Sequence, residues 1–198
     1  MPLDRLFFIR HGETDWNAQR RLQGQQDIGL NARGLHQAGV AGRKLLGILG
    51  LERIRDPQLA YIASPLVRAR RTMELARTAM QLDPSGYTTD PLLMELSFGT
   101  WEGKTWPEVQ ADQPQAAAWR EGDKWNFVPP DGESYAMLGE RIAPWLNALD
   151  GDCVVVSHGG VARVLMAVLG GLATNRAAMA DIWQGRVIVF ENGRFTWV

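Results

Sequence analysis

The sequence predicts an α/β fold: a three-layer sandwich with a mainly parallel central sheet flanked by helices, an antiparallel C-terminal edge hairpin and a small helical cap insertion. Three observations lead there. Short apolar runs alternate with stretches whose apolar or small positions step by three and four, the rhythm of strands buried between helices. Asn192-Gly193 lies between two β-rich runs near the end of the chain, a strong hairpin signal. Residues from about Ser97 to Ser134 have weak periodicity, several prolines and half of the eight tryptophans, which marks an insertion.

Taken in order, Leu6, Phe7, Phe8 and Ile9 form a first buried strand between Arg5 and Arg10. Asn31 can cap a helix whose inward positions recur at Leu35, Ala38, Gly42, Leu45 and Leu49. Leu59 to Ala63 is a second strand. Ser64-Pro65 then supplies an N-cap followed by proline at the first helical position. The face Leu66, Ala69, Met73, Ala76 and Met80 has helical spacing. A third short strand is predicted over Leu92 to Leu96. Within the insertion, Thr105-Trp106-Pro107-Glu108 has the capping-box pattern of a helix start, and Trp101, Trp106, Trp119 and Trp125 are expected to pack a core or lid. Ser134 begins a helix to about Leu149 that contains Pro144. Cys153 to Val156 is a β-branched strand, and Gly159-Gly160 leads into a helix over Val161 to Leu169.

A chain of 198 residues is expected to form one domain over 1–198, with the cap at about 97–134. Twenty-one Lys and Arg against 22 Asp and Glu leave a net charge of -1, without the broadly basic surface of a nucleic-acid or anionic-membrane binder. The single Cys153 excludes an intrachain disulfide framework and a thiolate zinc site. Met1-Pro2-Leu3-Asp4-Arg5 is charged too early for a signal peptide, and Val161 to Ala173 contains Arg163 and is shorter than the ~20 residues that span a bilayer. A soluble, cytoplasmic protein is expected, a monomer or homodimer, with neither nucleic acid nor membrane as partner.

In open α/β sheets ligands bind beyond the carboxyl ends of the strands. After the first strand come Arg10, His11, Gly12 and Glu13. After the second come Ser64 and, one helical turn on, Arg68. Glu95 ends the third, and Ser157, His158, Gly159 and Gly160 follow the Cys153 strand. Two arginines facing one small site require an anion, and phosphate oxygens match their paired N–H donors. A helix beginning near Gly160 would aim further N–H groups at it. An imidazole there can attack phosphorus while the positive field neutralises the phosphoryl oxygens, and a nearby carboxylic acid can protonate the leaving alkoxide. This chemistry calls for no metal and no cofactor. His36 has the setting of a surface residue, and Cys153 that of a small buried one.

Arg10-His11-Gly12-Glu13-Thr14, then Trp16-Asn17, Gln23-Gly24 and Asp27, resemble the signature of the histidine phosphatase (phosphoglycerate mutase-like) superfamily. Ser64 to Ala69 through Thr72, Glu95 before Phe98-Gly99, Trp101-Glu102-Gly103, Gly132-Glu133-Ser134 and Ser157 to Gly160 are similar to its later blocks, in order. The resemblance implies that His11 is the phosphorylated nucleophile, that Arg10, Arg68 and His158 clamp the phosphoryl group, and that Glu95 is the proton donor. Glu13 and Glu102 are rival acids. Asn17, Gln23, Gly24 and Gly159 would complete the phosphate-binding rim.

The expected activity is metal-independent hydrolysis of a small phosphorylated metabolite through a phosphohistidine. Mutases of the resembling family typically carry Tyr at Phe98, a second Arg at Glu121 and Asn at Gly160. The residues from Ser97 to Ser134 include seven acidic and three basic side chains, a balance suited to a monophosphate with an apolar or polyhydroxyl body. The alternatives are a cofactor-dependent phosphoglycerate mutase and a non-catalytic phosphate-binding relative.

Overall fold

In a computed structural model that describes residues 5–198, the alternating segments assemble into a six-stranded sheet of order β3-β2-β4-β1-β5-β6. The reading of Met1 to Asp4 lies outside the described residues. β1 (Arg5–Arg10) pairs in parallel with β4 (Cys153–Ser157), which pairs in parallel with β2 (Ala60–Ala63), and β2 with β3 (Thr88–Thr89). β5 (Val187–Glu191) runs antiparallel to β1 and carries β6 (Arg194–Trp197) at the edge. Asn192 and Gly193 take φ of 52° and 71°, the two left-handed positions of a tight hairpin turn.

Period two divides the central strands between two cores. Leu6 and Phe8 of β1, with Cys153 and Val155 of β4, pack on one face against α6 (Tyr135–Asn147) and α7 (Gly159–Val168). Phe7, Ile9, Val154 and Val156 pack on the other against α2 (Ala32–Ile54) and α3 (Val67–Ala79). The four β1 side chains are fully buried, worth roughly 1.5–3 kcal/mol each relative to exposure. The chain leaves β1 toward one face and β4 toward the other, so a crevice opens between their carboxyl ends. Register completes the arrangement: Arg10 pairs with Ser157, and His11 and His158 leave the sheet side by side.

Three expectations are corrected. Asn31 caps α2 through Gly34 N–H at 2.9 Å, and Ala38, Gly42 and Leu45 are buried, but Leu35 is 43% exposed on the outer face. Ser64 does not cap α3, which starts at Val67 after an extended Leu66; the Asp27 carboxylate, 40 residues away, accepts the Val67 N–H at 2.7 Å instead. Leu92 to Leu96 is not a strand. Pro91 has no N–H for a ladder and the Asp90 carboxylate accepts the Leu92 N–H, so Pro91–Leu93 forms a 3-10 turn. β3 lies upstream, at Thr88–Thr89.

The short α1 (Asp15–Ala18) follows β1 under a Thr14 capping box. Between Ser97 and Ser134 lie a 3-10 turn (Gly99–Trp101), α4 (Trp106–Asp112) and α5 (Pro114–Gly122), and α4 starts at the expected Thr105–Glu108 box. Trp101 is fully buried, stacked 5.4 Å from Phe127 and edge-on to Trp106, whereas Trp119 is 64% exposed. Ser134 caps α6 through Met137 N–H, and α8 (Thr174–Met179) packs on α7 ahead of β5. No helix of the described residues is long and apolar enough to cross a membrane.

Candidate active site

The crevice between β1 and β4 holds a cleft of about 140 Å³ lined by Arg10, His11, Asn17, Gln23, Gly24, Arg68, Glu95 and Gly159, with Arg21, Leu22, Phe98 and Arg163. His158, fully buried, lies against it with its ring 5.2 Å from that of His11. Side chains from the ends of β1 and β4, the first turn of α3 and the segment after the Pro91 turn therefore converge, as the strand-end argument requires.

His11 Nδ1 lies 2.7 Å from the Gly12 carbonyl oxygen. A carbonyl only accepts, so Nδ1 carries the hydrogen and the lone pair resides on Nε2. Burial, reinforced by the Arg68 and Arg10 guanidiniums, holds the His11 pKa well below its ordinary 6.5. Burial and Arg68 likewise lower that of His158, with His11 itself and Arg10 adding to the effect. Ser64, freed from capping, places its hydroxyl 2.7 Å from His158 Nε2. Thr72 Oγ1 accepts the Gly12 N–H and donates to the Arg68 carbonyl, tying α3 to the histidine loop.

Both arginines are held by neutral oxygens. Arg68, fully buried, donates to the carbonyls of Gln26 at 2.6 Å and Gly24 at 2.7 Å; Arg10 donates to that of Ile182 at 2.7 Å. Among the described residues neither forms an ion pair with a carboxylate. Burial, and next to it repulsion by Arg163, pushes the Arg10 pKa down to about 10, against an opposing pull from Glu95. Arg10 Nε, Arg68 Nε and His158 Nδ1 are buried without a protein partner. A buried guanidinium N–H in that condition is costly unless an acceptor meets it.

Of the three acids, only Glu95 lines the cleft. Glu13 accepts from Asn31 and pairs with Arg33. Glu102 is a staple, accepting from Gln25 N–H, Phe98 N–H and Gln26 Nε2. Glu95 Oε1 accepts the N–H groups of Leu96 and Gly160, both at 2.9 Å, leaving Oε2 with one longer contact to Gly160 N at 3.3 Å. A Cβ at position 160 would overlap Glu95 Oε1, so glycine there is what admits the carboxyl group. Arg141 holds the backbone beneath, donating to the carbonyls of Leu92, Met94 and Glu95 while Glu133 grips its guanidinium at 2.8 Å.

Asn17 Oδ1 accepts from Thr14 N–H and from Gln184 Nε2, which arrives from the far end of the chain. Gln23 is buried at the rim, and Gly24 contributes the left-handed turn (φ 53°) that presents its carbonyl to Arg68. Sequence reasoning missed Arg163, Gln184 and Ser64's contact with His158. Arg163 had a signal, standing one helical turn after Gly159; Gln184 had none.

Of the acids between Ser97 and Ser134 none lines the cleft, and most are engaged within the protein. Glu102 serves as staple, Glu108 as capping box, Asp112 pairs with Lys104, Asp123 binds Asn126 and Glu133 binds Arg141. The basic Arg120 and Lys124 line a second cavity with Trp106, Glu121 and Met179. No group of three or more His, Cys, Asp or Glu among the described residues is placed to hold a metal ion.

The chain is similar to known proteins along nearly its whole length. A glucosyl-3-phosphoglycerate phosphatase from Mycolicibacterium vanbaalenii is 34% identical over 185 residues, covering 87% of this chain and 76% of the relative. A 2,3-bisphosphoglycerate-dependent phosphoglycerate mutase from Methylobacterium radiotolerans is 31% identical over 195 residues, 94% of this chain and 88% of its own. The crystal structure of a phosphoglycerate mutase from Thermus thermophilus superposes with a TM-score of 0.69 at 31% identity, covering 93% of this chain and 91% of that one. The model of the histidine phosphatase superfamily (branch 1) matches residues 6–198, and the chain belongs to that superfamily.

Proposed function

We propose that this chain is a phosphomonoesterase that hydrolyses a small phosphorylated metabolite through a phosphohistidine on His11. The observation that carries the reading is the fixed tautomer: Nδ1–H is committed to Gly12, so a neutral Nε2 lone pair stands in a cleft whose arginines keep their charge. Nε2 attacks phosphorus in line. The N–P bond forms as the ester P–O bond breaks, and Glu95 Oε2 gives its proton to the departing oxygen. Glu95, now a carboxylate, takes a proton from water as that oxygen bonds phosphorus and the N–P bond breaks, releasing phosphate and neutral His11. Arg10, Arg68 and His158 meet the phosphoryl oxygens throughout, where fixed donors act most strongly on developing charge. Asn17, Gln23, Gly24 and Gly159 shape the rim.

Hydrolysis is favoured over mutase transfer because the positions of the mutase clamps are differently employed. Phe98 brings a bare ring to the cleft, Glu121 accepts from Trp106 Nε1 and Gln110, and Gly160 makes room for Glu95. The test is phosphate release from a panel of monoesters in chelator, with 3-phosphoglycerate isomerisation followed in parallel and rapid-quench mass spectrometry on the protein. Hydrolysis outpacing isomerisation, with phosphate trapped on His11, is expected. Isomerisation outpacing hydrolysis would make the chain a mutase, and turnover with phosphate on another residue would overturn the nucleophile.

A further inference from the structure

The segment between α8 and β5 touches three residues of the cleft lining that come from three different elements. The Ala180 carbonyl accepts from Arg163 Nε of α7 at 3.0 Å, and the Ile182 carbonyl accepts from Arg10 of β1 at 2.7 Å. The Gln184 side chain donates to Asn17 of α1 at 3.0 Å. These contacts fall at every second residue, the repeat of an extended chain. Exposure alternates with them: Ala180 and Gln184 are half-buried and Ile182 is buried, whereas Asp181 and Trp183 face solvent. Ile182 also belongs to the core that α7 packs into, which fixes the segment at its middle.

Of the three held groups, Asn17 is the one that can be held the wrong way round. A guanidinium presents only donors, but a carboxamide presents donors on one side and an acceptor on the other. The Thr14 backbone N–H lies 3.2 Å from the Asn17 side chain, and a backbone N–H only donates, so the atom it meets is Oδ1. The Gln184 atom 3.0 Å from that same oxygen is therefore its Nε2 donor. With both lone-pair positions of Oδ1 taken, the Nδ2–H groups are left for the cleft that Asn17 lines. α1 is four residues long and buries none of them, so packing within this single turn does not hold the side chain.

We propose that residues 180–184 are a strap that positions the donors of the phosphoryl cleft. Gln184 is its positioning residue for Asn17, turning the carboxamide so that Nδ2–H rather than Oδ1 meets the phosphoryl group. The proposal rests on the reading that the phosphoryl group sits at His11. The terminal torsion of a carboxamide is broad and roughly two-fold, so a half turn is open to it unless hydrogen bonds forbid it. That half turn would bring an acceptor oxygen up to the phosphoryl oxygens. Thr14 opposes it from within α1, and Gln184 adds a second, shorter contact from outside. Arg10 and Asn17 thereby take their positions from the same short segment, which sets a charged and a neutral donor relative to one another.

A double-mutant cycle tests this, with kcat/KM measured on the monoester that the wild type hydrolyses best. Gln184→Met keeps the length of the side chain and removes its donor. It should lower kcat/KM about tenfold, as should Asn17→Ala, and the double variant should be no worse than Asn17→Ala alone. Gln184→Glu, whose carboxylate only accepts, should lose at least as much as Gln184→Met. In isotope-labelled protein the Asn17 side-chain amide resonances should move when inorganic phosphate is added to wild type, and stay in place in Gln184→Met. Three results overturn the strap while leaving hydrolysis at His11 intact: losses that add in the double variant, wild-type turnover in either Gln184 variant, or equal Asn17 shifts in wild type and Gln184→Met. If no ester is hydrolysed, the His11 reading fails and the resonances decide alone. No shift in wild type, or the same shift in both proteins, then sinks the strap.

Discussion

The floor of the cleft and the wall of a second cavity between α5 and α8, lined by Arg120 and Lys124, both carry cations but hold them differently. On the floor, Arg68 and Arg10 are locked by backbone carbonyls and His11 by its own Gly12. On the wall, Arg120 rests on a ring and Lys124 on a sulfur atom. The floor, locked by backbone oxygens, suits one invariant group, the phosphoryl of the proposed reaction, whereas the cations of the wall have no backbone anchors among the described residues. Floor substitutions should therefore reduce turnover of every ester alike, and wall substitutions should reorder substrates. A floor variant that changed the ranking of esters would dissolve the distinction.

The largest effect is expected for His11→Ala, which removes the attacking nitrogen and should cost at least about 10³-fold in kcat with every ester. Retained turnover would refute the role outright. Arg68→Ala should follow with a loss of about 10²–10³-fold in kcat/KM, uniform across the panel of monoesters, as for removal of a fixed transition-state donor. Glu95→Gln sharpens the comparison differently. It should cost about 10²-fold with alkyl esters and far less with a nitrophenyl ester, whose leaving group needs no proton. Gly160→Ala should reproduce that leaving-group dependence more mildly, because a methyl group there displaces Glu95 without removing it. Equal losses on both ester types would refute the acid role of Glu95 and the positioning role of Gly160.

A further effect is on stability rather than on turnover. His11 and His158 have folded pKa values well below 6.5, so below about pH 6.5 the unfolded chain binds more protons than the folded one. Stability is complete above that value and falls on acidification, by up to about 1.4 kcal/mol per pH unit for each histidine. Urea unfolding between pH 5 and 7 should show the slope, and His158→Gln should flatten it. An unchanged slope in that variant would mean that His158 titrates freely in the folded state.

The sequence told most where local chemistry and tertiary need coincide. β1, β4 and the face Leu66 to Met80 were legible because buried strands and amphipathic helices announce themselves in a few residues. His11, His158, Arg10 and Arg68 were legible because strand ends collect ligands. What escaped notice depended on distant partners. Ser64 is drawn off its helix by His158, 94 residues away, and Asp27 takes over the helix start. Glu95 lies on an irregular segment shaped by Arg141 and Glu133, which no periodicity marks. Net charge over Ser97 to Ser134 does not say where the charges sit: most of the acids there are engaged with neighbours, and none lines the cleft.

Carbonyl-held guanidiniums have one more consequence. A carboxylate partner would have fixed Arg68 and Arg10 equally well but cancelled them at a distance; a carbonyl dipole leaves more of their charge to act beyond the cleft, even with Glu95 close by. An approaching phosphate ester is attracted before it touches anything, over the ~8 Å that physiological salt allows, and its encounter rate falls as salt is added. Liberated inorganic phosphate feels the same pull. The arrangement that hastens capture of the ester also slows escape of its product.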